Sequence, residues 1–194
     1  MTAVTIQEQQ STVLITENNA SVNVTSSDVS VLLTAPGTQG PPRSADSGVI
    51  YLKANTVTTP IDQTNGRAVV SGVMIASSLT NFEKDALTNS LKYKGTNGLF
   101  HAIATFSFYS GSQDTCGFYI GVNRDASSPL DADADRISES EIYVNAGTQS
   151  NQPKTGTIQT LVQLTTDDRI FFIVQNKTKA DAILVEFMKL IVKS

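Results

Sequence analysis

The side chains with the greatest chemical potential lie in the run Asp131-Ala132-Asp133-Ala134-Asp135. Carboxylates at i, i+2 and i+4 match the first ligands of a calcium loop, which wraps oxygen donors around a hard cation. Such a loop needs Gly at its sixth position and Glu at its twelfth. Arg136 and Ile142 stand there, and Glu139 and Glu141 are off register. The run is therefore expected to be a solvated acidic loop without a metal. His101 is the single histidine and lies on an apolar strand, so it is expected in the core or at a subunit interface, not as a general base. Cys116 is the single cysteine, which excludes an intramolecular disulfide and a thiolate zinc site and leaves a small buried hydrophobe. The chain contains no Gly-x-Ser-x-Gly elbow and no phosphate-binding Gly-x-x-x-x-Gly-Lys-Ser/Thr loop. No catalytic constellation and no cofactor site emerge, so the expectation is a protein that is not an enzyme. Tyr119 and Tyr143 are the aromatics that could stack on sugars.

The elements that position these residues are strands. Of 194 residues 40% are apolar, enough for a core, and only 16% are charged. Thr, Ser, Asn, Gln and Val are abundant, as in extended hydroxyl-rich β-proteins. The net charge of −4 and the lack of any Lys/Arg cluster argue against nucleic acid as a partner, because phosphate neutralisation needs clustered cations. No basic-plus-apolar signal segment opens the sequence, and no apolar run is long enough to span a bilayer. Those features predict synthesis in a cytoplasm and no membrane partner. Strands are predicted at 48–54, 67–76, 90–94, 99–109, 117–123, 141–146, 156–164, 169–175 and 183–192, with Gly, Asn, Asp and Pro between them. Residues 81–90 have room for a helical turn or two, although their apolar spacing is poor. Many short strands at regular spacing predict an all-β sandwich or barrel.

A nine-residue beat precedes this region. Val4/Ile6, Val13/Ile15, Val22/Val24 and Val31/Leu33 each place apolar residues at i and i+2, nine apart. Period-two alternation is strand chemistry. Residues 1–34 thus read as four small β-units, too thin to bury a core alone and suited to anchoring or assembly. Residues 35–47 hold three of the six prolines (Pro36, Pro41, Pro42) and read as an extended linker, leaving 48–194 as the main domain. Gly37 and Gly40 fit a collagen-like register that ends at once, at Arg43.

Several strands are apolar on both faces. In 99–109, Phe100, Ala102, Ala104, Phe106 and Phe108 line one face, and Leu99, His101, Ile103 and Tyr109 the other. Residues 170–174 and 183–192 behave similarly, whereas 117–123 and 156–164 read as one-sided. A doubly covered sheet in an antiparallel sandwich needs cover beyond its partner sheet, and the simplest cover is a second copy of the chain.

Gly98-Leu99-Phe100 leading into a long apolar strand, Leu164-Thr165-Thr166-Asp167-Asp168-Arg169-Ile170 at a late turn, and a final apolar strand ending the chain resemble the jelly roll of tumour-necrosis-factor-type and complement-type globular heads. The resemblance covers about residues 48–194. It implies an antiparallel jelly-roll sandwich that trimerises, with strands 99–109, 169–175 and 183–192 in an inner sheet around a threefold axis. The trimer-interface residues it implies are Leu99, His101, Ile103, Phe171 and Ile173. The sequence departs from that pattern where Asp167 replaces the usual Gly and where 176–182 is too short to hold an outer strand. The segment 124–155 is also longer and more polar than the pattern. A β-appendage, a Gly-x-x-Gly-Pro-Pro scrap and such a knob together resemble the head-fibre and capsid-decoration proteins of tailed bacteriophages. That resemblance implies a virion-surface homotrimer. The repeat residues Val4, Ile6, Val13, Ile15, Val22, Val24, Val31 and Leu33 would hold major capsid or other head or collar proteins, and the knob would project. The alternative is a tail-fibre tip that binds a receptor or host-surface glycan.

Overall fold

The structure is a computed structural model that describes residues 45–194, apart from 86, 87, 126, 150 and 151. The repeat residues from Val4 to Leu33, and most of the linker, lie outside the described residues.

Eleven strands follow in chain order: β1 (Ser47–Leu52), β2 (Arg67–Val69), β3 (Ile75–Thr80), β4 (Phe82–Lys84), β5 (Ser90–Tyr93), β6 (Gly98–Tyr109), β7 (Thr115–Asn123), β8 (Ile142–Asn145), β9 (Lys154–Leu164), β10 (Arg169–Asn176) and β11 (Leu184–Lys193). A 3-10 turn, Ser138–Ser140, precedes β8. The chain is all-β, as its alternation predicts. One sheet has the order β3-β1-β11-β6-β9, the other β4-β5-β10-β7-β8, with β2 also pairing β10. Every pairing is antiparallel.

The core is what alternation dictates. On β6 the even-numbered residues from Phe100 to Phe108 are buried and their odd-numbered neighbours are not. Phe106 and Phe108 meet Phe118 of β7 at ring-centroid distances of 4.2 and 4.6 Å, and Phe106 meets Phe172 of β10 at 5.1 Å. A second group, Phe82, Tyr93 and Phe100, closes the other end of the sandwich at 4.8–5.6 Å. Each such ring pair adds about 0.5–1.5 kcal/mol beyond the apolar area it buries.

Four expectations change. First, residues 67–76 are not one strand: β2 and β3 belong to different sheets. The break centres on Gly72, with φ +128°, where a Cβ would stand 2.6 Å from Asn55 Oδ1. Asn55 in turn donates to the carbonyls of Val57, Ser71 and Val185 at 2.9–3.1 Å, so the crossover is hydrogen-bonded in place. Second, Phe82–Lys84, in the stretch given room for a helical turn, is strand β4, paired with β5.

Third, β10 does not share a sheet with β6 and β11. It lies between β5 and β7 in the opposite sheet, while β9 is the neighbour of β6. An apolar run reports burial, not which layer buries it. The short connection 177–183 is the crossover from β10 in one sheet to β11 in the other, so no intervening strand is needed. Fourth, β7 is not one-sided; from Cys116 to Asn123 every residue is buried.

The cover over β7 and β10 comes from the chain itself. Tyr119, Phe171 and Ile173 form a small cluster on the outer face of the second sheet, fully buried, packed by Val69, Leu130 and Ala132. Gly121 lets this layer approach: a Cβ there would stand 2.7 Å from Phe171 Cζ and 2.8 Å from Ile173 Cδ1. Phe171 and Ile173 therefore offer no surface to another copy. The long polar segment after β7 is the lid that hides them.

Arg169 pins that lid. Its side chain is buried, and Nη2 donates to Asn123 Oδ1 and the Asp125 carbonyl at 2.9 Å, and to the Ser128 carbonyl. Asp85 supplies a carboxylate 3.6 Å from Nη1. A buried guanidinium with several acceptors fixes a loop that has few apolar side chains of its own.

Candidate functional site

With β10 assigned to the other layer, the first sheet presents an outer face built on odd-numbered residues. Strand register lays this face out in rows. Ser77, Val49, Ile191, Ile103 and Gln159 are successive lateral neighbours across the five strands. Ile75, Tyr51, Lys189, Thr105 and Thr157 form the row on one side. Ser47, Lys193, His101 and Leu161 lie in the row on the other side, and Leu99 pairs Gln163 beyond them. Val49, Ile103 and Ile191 are half-buried by their neighbours alone. At the margins Leu161 is 65%, Leu99 58% and Ile75 49% exposed, and Phe187, opposite Ser107, is 38% exposed.

Among the described residues no segment covers this face, in contrast to the lid over the second sheet. Ile75, Leu99, Leu161 and Phe187 leave apolar side chains exposed along it, and exposure of that kind on one sheet face suits an interaction surface. Its charges are Lys189, between Tyr51 and Thr105, and Lys193, between Ser47 and His101, both exposed. His101 sits half-buried between Lys193 and Leu161, so it is a face residue. Three expected interface residues, Leu99, His101 and Ile103, share this face; Phe171 and Ile173 do not. Val49, Ile75, Leu161, Phe187 and Ile191 join it unannounced. For Leu161 a signal existed: it is the one leucine in the Thr/Gln register of 155–163.

The acidic run is engaged within its own loop. Asp131 Oδ1 accepts from the backbone N–H of Asp133 at 2.8 Å and of Ala134 at 3.0 Å, which holds its carboxyl below the usual range. Asp133 pairs with Arg67 at 2.6 Å. Asp135 Oδ2 accepts from the Asp131 N–H at 2.9 Å and from Asn123 Nδ2 at 2.8 Å. These carboxylates shape a turn beside an open cleft lined by Asn123, Asp125 and Pro129. Among the described residues no group of three or more His, Cys, Asp or Glu side chains converges as metal ligands do.

Tyr119 cannot stack on a sugar, because it is fully buried. Its hydroxyl contacts Glu141 Oε1 at 2.7 Å, Tyr143 Oη at 3.3 Å and Gln175 Oε1. Burial first, then Glu141, raises its pKa, against Arg67. Tyr143 is 44% exposed, with Lys177 Nζ 4.1 Å from its ring centroid. Arg67 and Arg136 flank the Tyr119 ring at 5.5 and 5.9 Å. Cys116 is buried at the start of β7 and its thiol is pushed up to about 11 by desolvation.

No protein-family model and no curated protein matches the chain. Solved structures similar to it are of the tumour-necrosis-factor type. Murine APRIL at pH 5.0 is 10% identical with a TM-score of 0.46, over 77% of this chain and 100% of that one. The Eiger TNF of S. frugiperda is 10% identical with a TM-score of 0.48, over 77% of this chain and 92% of that one.

Proposed function

We propose that this protein is a non-enzymatic structural component of a virion, a trimeric head fibre or capsid-decoration protein of a tailed bacteriophage. The observation that carries the reading is the uncovered outer face of the first sheet. Its Val49–Ile191–Ile103 centre and its Leu99 and Leu161 margin would be hidden by two further copies around a threefold axis. Full burial of a side chain of this size stabilises by roughly 1.5–3 kcal/mol, and a trimer counts every such residue three times. Residues 1–34 would add strands to a capsid or collar surface, and three anchors on one knob supply avidity without a single tight contact. The site of action would be the virion surface, after synthesis in the host cytoplasm.

Two measurements test this. Light scattering on the purified chain should give the mass of three subunits, and a monomer at high concentration refutes the trimer. Deleting residues 1–34 should leave a folded knob that no longer joins particles; a truncated protein that still attaches refutes the anchor.

A second reading, a receptor- or glycan-binding tip, is favoured by one patch. Tyr143 is exposed on the outer face of the second sheet, with Lys177 Nζ over its ring. Hydroxyls and cations at one place suit an acidic sugar. Glycan-array binding lost on Tyr143→Ala would favour it over the first reading.

A further inference from the structure

One buried carboxyl has no part in the surfaces described so far. Asp114 ends the turn between β6 and β7 and is fully buried. Its N–H donates to the Gly111 carbonyl at 3.3 Å, and its carbonyl accepts from the Ala146 N–H at 2.8 Å. Its side chain reaches the crossover between β10 and β11. Oδ2 accepts from Asn176 Nδ2 at 2.9 Å. Oδ1 takes no hydrogen bond among the described residues, and Lys179 Nζ stands 3.3 Å from it. A carboxyl C–O bond adds only about 1.2 Å, so Nζ lies within ~4.5 Å of Asp114 Cγ. The Ser112 carbonyl accepts from the same Nζ at 3.2 Å and holds it beside the turn.

A second carboxyl flanks the first. The place a Cβ would take on Gly111 is 2.9 Å from Asp114 Oδ2 and 3.1 Å from Asp181 Oδ2, so the glycine leaves the gap between them open. The segment that carries Lys179 is itself fixed. Asn176 Oδ1 accepts from the N–H groups of Thr178 and Lys179 at 3.0 and 3.1 Å, and Thr178 Oγ1 accepts from the Thr115 N–H at 2.9 Å. An amine, a buried acid and a second acid are thus held together by hydrogen-bonded backbone.

We propose that Lys179 and Asp114 join as an intramolecular amide. Nζ, as the free amine, attacks Cγ; the Nζ–Cγ bond forms and the Cγ–Oδ2 bond breaks. Asn176 Nδ2, donating to Oδ2, stabilises the charge that gathers there. Asp181 carries protons from the nitrogen to Oδ2, directly or through one water. Of the ammonium's three protons, one stays on the amide and two leave with Oδ2 as water, so the ion pair becomes amide plus water and nothing else is consumed. Free groups in dilute solution do not condense in this way, but groups held in contact act at an effective concentration of roughly 10⁵–10⁸ M. The product also removes two charges from a site where one of them is fully buried. The bond closes a covalent loop around β7, β8, β9 and β10.

The test is the intact mass of the purified full chain, a result that does not depend on assembly or on the particle reading. The chain should weigh one water less than its sequence requires. After denaturation and trypsin, peptide 95–124 should be joined to peptide 178–189, with cleavage after Lys179 blocked. Lys179→Arg keeps the cation, lacks the nucleophilic amine and should have the full mass. Asp181→Asn, purified in parallel, should carry the bond in at most about a tenth as many molecules as the native chain. A native chain of full mass overturns the proposal. So does a missing water with the two peptides separate, which places the dehydration elsewhere, and so does a Lys179→Arg chain that still lacks the water. An Asp181→Asn chain bonded to the native extent overturns the proton route.

Discussion

Phe171→Ala separates cover by the chain itself from cover by another copy. The ring is fully buried against Ile173, Leu130 and Ala132 and lies 2.7 Å from the place a Cβ would take on Gly121. Removing a phenyl ring from such a site costs ~3–5 kcal/mol, because the lost transfer energy and the cavity add. For a domain of this size each kcal/mol shifts the melting temperature by about 2–4 °C, so the expected drop is roughly 6–20 °C. The proposed assembly should not change, since this side chain is covered within its own chain. Ile103→Glu is the converse. It stands on the open face between Ile191 and Gln159. It should turn the proposed trimer into monomers while the far-ultraviolet dichroism stays native. Light scattering gives the mass and calorimetry the melting temperature, each at two protein concentrations tenfold apart. If Phe171→Ala releases monomers with native melting, and Ile103→Glu leaves the mass unchanged, the assignment of cover and interface is refuted.

Three further outcomes are expected. Arg169→Met should cost ~3–5 kcal/mol, since the lid loses the cation that Asn123 and the carbonyls of Asp125 and Ser128 surround, and limited proteolysis should then cut near residues 124–130. Cys116 should resist iodoacetamide at pH 8 in the folded protein and react fully in guanidinium, because its thiol is buried and its pKa lies at about 11. Asp125 is held down to about 2 by hydrogen bonds from the side chain of Ser127 first, then that of Ser128. A depressed carboxylate contributes above its unfolded pKa and loses that contribution as pH falls through the folded one. The turn 125–128 should therefore loosen as pH drops from about 4 toward 2, and Ser127→Ala should move the Asp125 titration, followed by NMR, up toward 3.8.

Period-two alternation placed most of the long strands, because side-chain direction on a strand is set by parity alone. On β6 parity also told core from face, residue by residue. Layer assignment was not legible for β10. Ile170-Phe171-Phe172-Ile173-Val174 is apolar at every position, and such a run is compatible with either sheet once both faces are covered. The cover itself was illegible because only Leu130 and Ala132, two apolar residues in a polar loop, supply it together with Val69. The turn before β10 shows a partial reading. Asp167 stands where the resembled pattern has Gly, and its φ is +72°, the left-handed region that Gly adopts freely and Asp tolerates. Lys94 and then Lys92, at 2.9 and 3.1 Å, hold its carboxylate below the ordinary range, a compensation visible only in three dimensions.

The pairing of Ser47 with Lys193 places the root of β1 and the tip of β11 side by side, and the backbone of Ser194 bonds back to the Asp46 carbonyl at 3.0 Å. A tether at residue 46 and a load on residue 194 would therefore unzip the seam one rung at a time instead of shearing six rungs together. A body held at that corner resists drag as long as the force enters elsewhere. For display engineering, cargo belongs at the opposite pole, on the turn between β6 and β7, where tension would load the six rungs of the seam together in shear.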